Sequence, residues 1–350
     1  MSGNGPQDVG VVEVDALQRW LSANAPEIST PVRLELVSAG RSNLTYLLED
    51  TRGQRYVLRR PPAGTLVASA HDVGREYRII SSLGDSALPL PQTVAECSDP
   101  GVIGAPFFVM RFVPGTIVTD PVTARSLRAD VRQHVGKALA TTLALLHAVD
   151  LEQVGLSDLR RRHGYVERQL SRWGKQLDGE ESGDGSPLRG LGKRLGERVP
   201  LAQREVLLHG DFKLENMILA ANGDVAAVLD WELASVGDPL ADLGWLMIWW
   251  VQPGEDLPWI TPRPTSAGGF ADRASLAAKY AGATGIDVTG ISYYMAFSYW
   301  RLSCINVGTR RRFLAGEMGA KTIDIDALNQ QIRWQTAAAD DLLCAHPVTA

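Results

Sequence analysis

An α+β chain of two lobes, an antiparallel-sheet lobe followed by a helical lobe, is what the patterning of these 350 residues predicts. Three observations carry this. Short runs rich in β-branched and apolar residues recur through the first third, at 32–37, 44–48, 56–59, 92–96 and 107–113. From residue 129 onward the apolar spacing turns helical. Pro114-Gly115 punctuates the change, so the lobes are expected at 1–113 and 114–350.

The elements follow in order. Residues 1–10 are polar and Gly-rich and read as a tail; Val14, Leu17 and Leu21 then give a helical stripe over 14–21. Ala39-Gly40-Arg41-Ser42-Asn43 joins the first two strands, Arg59 ends the third, and Glu76 lies on the helix after it. In the second lobe a helix over 129–146 ends in Leu145-Leu146-His147. Residues 178–187 (DGEESGDGSP) are acidic, without apolar residues, and read as a flexible surface insertion. Gly190-Leu191-Gly192-Lys193 resembles part of a phosphate-binding loop, but Arg194 stands where that loop needs Ser or Thr. A helical connector is the better reading. Leu207-Leu208 delivers the chain to a Gly-containing turn, and the runs 217–219 and 225–229 flank Asn222-Gly223, a tight-hairpin dipeptide. Helices are expected over 239–250, 274–280, 292–306 and 328–343.

Composition excludes several classes. Apolar residues make up 45% and charged residues 21%, as in ordinary globular chains. The net charge of −5 supplies no basic field for nucleic acid. Residues 243–251 form the longest apolar run, too short for a bilayer, and no basic-then-apolar leader opens the sequence. Cys97, Cys304 and Cys344 are odd in number and in no metal spacing, so they read as buried or free thiols in a reducing compartment. A cytoplasmic enzyme without membrane or nucleic-acid partners is expected. Nothing in the sequence sets its oligomeric state.

Chemistry concentrates in 207–232. Asp211 is followed five positions later by Asn216 and, after the hairpin, by Asp230. Phosphoryl transfer needs one carboxylate to orient and deprotonate a hydroxyl, and an amide plus a second carboxylate to hold magnesium against nucleotide phosphates. The hairpin is expected to bring Asn216, before its first arm, toward Asp230, after its second. Asp211 is therefore the candidate catalytic base, and Asn216 and Asp230 are the candidate metal ligands. In the first lobe, Ser42 and Asn43 belong to the candidate phosphate-covering loop. Arg59, positioned by Glu76, is the candidate phosphate anchor, and the chain from Arg111 to Val113 offers backbone groups to the base of a nucleotide. ATP is the expected co-substrate with Mg2+; the sequence leaves GTP open in its place.

His209-Gly210-Asp211-Phe212-Lys213-Leu214-Glu215-Asn216, Leu229-Asp230-Trp231-Glu232 and Gly237-Asp238-Pro239-Leu240-Ala241-Asp242-Leu243-Gly244 resemble motifs of the aminoglycoside phosphotransferase superfamily of small-molecule kinases. The resemblance runs from about residue 30 to residue 335 and implies a protein-kinase-like fold. It also implies a structural role for Asp242, holding the catalytic loop. Arg59-Arg60-Pro61-Pro62, Ser69-Ala70-His71, Arg75-Glu76-Tyr77 and Gly164-Tyr165-Val166-Glu167-Arg168-Gln169 are similar to a branch of that superfamily. Its members are the kinase-like domains that precede some acyl-CoA dehydrogenases. Asp230-Trp231-Glu232 lacks the glycine of Asp-Phe-Gly and no Ala-Pro-Glu follows, so a switched activation loop and a protein substrate are not expected.

The expected activity is transfer of the γ-phosphoryl group to a hydroxyl of a small molecule, with a hydroxyacyl-type metabolite as the acceptor the branch suggests. An aminoglycoside-type kinase and a catalytically weak regulatory module stand as alternatives. Residues 240–350 hold nine Lys or Arg against ten Asp or Glu, which disfavours a polycationic acceptor. Trp245, Trp249, Trp250, Trp259 and Trp300 with Arg301 could wall an acceptor pocket, but tryptophans at helical spacing are more often core. Arg310-Arg311-Arg312 reads as a solvated face. His147 reads as a hydrogen-bonded structural residue, His209 as a brace for the catalytic loop, and His71 is left open.

Overall fold

Strand alternation organises the first unit, which comprises Met1–Pro114 together with Ala226–Glu232. The structure, a computed structural model, describes residues 12–39, 43–62, 73–178, 185–255, 257–318 and 322–345. Ser42 and His71 lie outside them. Helix α1 (Val14–Asn24) precedes β1 (Arg33–Ala39), β2 (Leu44–Glu49) and β3 (Arg55–Arg60); α2 (Val73–Ser82), β4 (Thr93–Cys97) and β5 (Phe107–Arg111) follow. The five strands form one antiparallel sheet in the order β1-β2-β3-β5-β4. Leu44, Tyr46 and Leu48 alternate into a core with Leu17, Leu21, Leu58 and Val109. β5 is buried on both faces: Trp20 of α1 meets Phe107 edge-on, and Tyr77 of α2 meets Phe108. The same alternation sends Arg60 to one face and Arg59 to the other. Arg60 is fully buried and donates to Ile103 O at 2.6 Å. Arg59 faces α2.

The second unit, Gly115–Val225 with Leu233–Ala350, is mainly helical. It holds β6 (Thr116–Ile117), α3 (Pro121–Ser126), α4 (Ala129–His147), α5 (Tyr165–Gly174), α6 (Gly185–Gly196), β7 (Val206–Leu208), β8 (Met217–Leu219), the start of β9 (Val225–Val228) and β10 (Ser235–Gly237). The helices α7 (Leu240–Trp249), α8 (Arg273–Thr284), α9 (Ile291–Leu314) and α10 (Ile325–Ala345) complete it. Three-residue β7 and β10 pair antiparallel and frame the segment that begins at His209. The hairpin turns at Asn222-Gly223, closed by Ala220 N–H donating to Asp224 O at 2.9 Å, with Gly223 at φ 90°. α7 is apolar except for Asp242 and buried except at Trp249, and α9 runs against it. Residues 185–196 form a helix, so the glycine-rich Gly190-Leu191-Gly192-Lys193 is the connector its sequence suggests. Among the described residues no helix is long and apolar enough to cross a membrane.

Three expectations are corrected. The helix expected over 292–306 continues to Leu314, and Arg310 is not solvated: it is buried and donates to Asn329 Oδ1 at 2.7 Å. Arg311 and Arg312 do face solvent, in a last turn where cations suit the helix dipole. The strand expected over 107–113 stops at Arg111, ahead of Pro114.

Candidate active site

Asp211 follows β7; the backbone of the two residues before it is held from α7 and α9, and its own side chain is reached from α7 by Trp245. Asp242, in the first turn of α7 and 1% exposed, accepts the N–H of His209 at 2.6 Å and of Gly210 at 2.9 Å. Gly210 has φ 82°, and a Cβ there would stand 2.6 Å from Leu233 O, so only glycine fits the turn. Arg301 of α9 donates to Gly210 O at 2.9 Å. His209 is fully buried, and its Nδ1 accepts from Asp211 N–H at 3.2 Å. His147 closes the support, with Nδ1 2.7 Å from Tyr280 Oη and Nε2 3.5 Å from Asp242. Asp242 and His209 thus hold the backbone around Asp211, and His147 is hydrogen-bonded as its sequence position suggested.

The Asp211 carboxylate has four hydrogen bonds. Oδ1 accepts from Trp245 Nε1 at 2.8 Å and Lys213 Nζ at 3.1 Å; Oδ2 accepts from Lys213 Nζ at 2.9 Å and Asn216 Nδ2 at 2.9 Å. Burial works to raise its pKa, but Lys213, His209 and the Asn216 amide outweigh that and hold it below the usual carboxylate value. It stays ionised. Asn216 Nδ2 donates again to Asp211 O at 2.8 Å, so the amide oxygen is its open acceptor. Trp249 stacks on Trp259 with centroids 5.5 Å apart; Lys213 Nζ lies 4.5 Å from the Trp249 centroid and Arg263 3.9 Å from it.

In the first unit, Arg59 gathers carboxylates. Its Nη1 donates to Glu76 Oε1 at 2.6 Å and its Nη2 to Asp230 Oδ1 at 3.3 Å. Burial alone would lower the Arg59 pKa, but Glu76 and Asp230 raise it, so it remains a cation. Glu76 is 1% exposed and its Oε2 has no hydrogen-bond partner. Burial, opposed by Arg59 and reinforced by the charges of Asp230 and Glu232, pushes its pKa up to about 7. Asp230 has φ 68°, the only positive φ at a non-glycine among the described residues, and its side chain is one-third exposed.

The other candidates are placed as follows. Asn43, at the entry to β2, is 3% exposed and neither end of its amide has a partner. The Arg111 N–H is engaged by Gln92 O at 2.8 Å, and its guanidinium lies over the Tyr56 ring, beside Glu27, Arg52 and Gln54. Val113 is half-buried beyond β5. Trp300 and Trp250 are core, their N–H groups satisfied by Leu188 O and Ala271 O. Lys213 and Trp245 were not singled out from sequence as partners of Asp211. Lys213 had a signal: Phe212 points into the core, which turns both its neighbours the other way. Trp245 had a weaker one, standing one helical turn after Asp242.

Comparison with known proteins adds a family to this geometry. The model of the phosphotransferase enzyme family (APH) matches residues 33–278. Acyl-CoA dehydrogenase family member 10 of Mus musculus is 33% identical over 313 residues, covering 88% of this chain and 29% of that protein. Acyl-CoA dehydrogenase family member 11 of Gallus gallus is 35% identical over 295 residues, 81% of this chain and 37% of that protein. The chain therefore spans only a fraction of the length of these relatives. A solved protein from Ralstonia eutropha JMP134, provisionally named an aminoglycoside phosphotransferase, superposes with a TM-score of 0.79 at 28% identity, covering 95% of this chain and 98% of its own. Aminoglycoside phosphotransferase APH(4)-Ia, solved with AMP-PNP and hygromycin B, shares the fold at a TM-score of 0.61 and 18% identity, over 95% of this chain and all of its own. With its antiparallel five-stranded sheet, its helical C-terminal part and this match across most of its length, the chain belongs to the phosphotransferase enzyme family.

Proposed function

We propose that the protein is a small-molecule kinase that uses ATP and Mg2+ to phosphorylate a hydroxyl of a hydroxyacyl-type metabolite. The observation that carries this reading is the Asp211 carboxylate, ionised, half-buried and oriented by three donors through four hydrogen bonds, on a loop whose backbone is pinned by Asp242 and Arg301. Asp211 would accept the hydroxyl proton as the new O–P bond forms, while ADP leaves with the electrons of the broken one. Arg59 would pair with nucleotide phosphate, kept in place by Glu76. Asn43, buried with both amide ends open, supports a ligand-facing role for that side chain. The relatives' names, which refer to acyl-CoA dehydrogenation, support an acyl acceptor over a polycationic one. So do the cations Lys213 and Arg263 on the Trp249 face.

The donor atoms suit magnesium. Asn216 has its amide oxygen open, and Asp230 is a partly exposed carboxylate; both are hard oxygen ligands. Among the described residues there is no cluster of three His, Cys, Asp or Glu, so the fit is to an ion completed by phosphate oxygens. Bound there, magnesium would neutralise charge on the transferring phosphoryl group. The test incubates the protein with ATP, Mg2+ and a metabolite extract and follows phosphorylated products by mass spectrometry. Wild type forms a product, and Asp211→Ala lowers its rate about a thousandfold. Undiminished turnover by Asp211→Ala would sink the role given to Asp211.

A further inference from the structure

The Trp245 indole connects two supports of the catalytic loop. Its N–H reaches Asp211 Oδ1 at 2.8 Å, the guanidinium of Arg301 lies 4.3 Å from the centroid of its ring, and Arg301 in turn holds Gly210 O at 2.9 Å. The Trp249 ring stands 5.7 Å away, and Trp245 is only 3% exposed, so the indole has no room to swing. It shares a face of α7 with Asp242, one turn earlier, which grips the loop's N–H groups. Lys213 differs: it covers both oxygens of Asp211 from a flexible stem. An indole is a donor only and cannot take the hydroxyl proton in place of Asp211.

Building on the role proposed for Asp211, we infer that Trp245 is a positioning residue whose indole N–H fixes the catalytic carboxylate, so that the lone pairs now covered by Lys213 face the acceptor hydroxyl. Lys213 is the movable partner and Trp245 the fixed one. The discriminating variant replaces Trp245 with 3-benzothienylalanine, which keeps the bicyclic shape over Arg301 and lacks the N–H; Trp245→Phe accompanies it. Turnover is read as MgATP hydrolysis with water as acceptor, and the hydrogen bond as the 15N–1H resonance of the Trp245 indole. The benzothienyl protein is expected to melt with wild type and to lose roughly 30-fold in kcat, the value of one hydrogen bond to a charged group, with KM for ATP unchanged. Asp211→Asn is expected to shift the Trp245 resonance. An unmoved resonance, or wild-type kcat in the benzothienyl protein alongside an inactive Asp211→Ala, overturns the positioning role alone. An active Asp211→Ala removes the reading beneath it.

Discussion

At the scale of single residues, Asp242 and Glu76 are buried carboxylates with opposite consequences. Asp242 matches two buried N–H groups with its two oxygens, so removing it orphans both. Asp242→Ala is expected to cost about 4 kcal/mol, and Asp242→Asn about half of that, read from urea unfolding. Glu76 ties stability to pH. Its folded pKa of about 7 lies above the 4.5 it takes when free, so the folded state binds its proton more tightly. The stability it contributes is complete below pH 4.5 and is lost as pH rises toward 7 and beyond. Glu76→Gln should flatten that stretch of the stability–pH curve relative to wild type, measured by denaturant titration at each pH. These residues also mark how far the sequence could be read. Asp211 and Asn216 are five apart and their offset is a local signal. Trp245 meets Asp211 across 34 positions and Arg301 meets Gly210 across 91, contacts that only packing creates.

At the scale of elements, the close approach of α7 and α9 is written into one residue. A Cβ on Gly244 would stand 2.7 Å from Tyr294 C and 2.8 Å from its Cβ. Alanine is the better helix former by about 1 kcal/mol, but overpacking against a neighbouring backbone costs about 3 kcal/mol, so the clash wins. Gly244→Ala is expected to lower Tm, followed by circular dichroism, and to weaken activity as well, since α7 carries Asp242 and Trp245. The sheet strands were legible to within two residues because β2 and β3 alternate cleanly. β7 and β10 were not: three residues hold too little of a period to stand out, although their pairing sets the entry to the loop that carries Asp211. α9 outran its expected end because Arg310 finds Asn329 on α10, a partner no local pattern reveals.

At the scale of the whole molecule, ligand binding should register as stability. Saturating MgATP at about 100 times its Kd should add roughly 3 kcal/mol, visible as a higher Tm. Asp230→Asn should keep the part of the shift ATP gives alone and lose the increment that magnesium adds. Absence of any MgATP shift in wild type would count against the nucleotide role proposed for the first unit. The change from strands to helices along the chain was legible from the switch in apolar spacing. The grouping of Ala226–Glu232 with the first unit was not, since nothing in a local sequence window assigns a returning segment to an earlier core.

The left-handed backbone of Asp230 narrows what mutation can explore there. Asparagine and glycine are the replacements that tolerate φ 68° at little cost; β-branched residues pay steric strain before any chemistry is asked of them. In a saturation library at this codon, survivors selected for folding should be enriched in Asp, Asn and Gly, while survivors selected for turnover should collapse to Asp. Glutamate would fail both screens, although it carries the same charge. The route by which such a site could drift is therefore closed by its main chain as much as by its carboxylate.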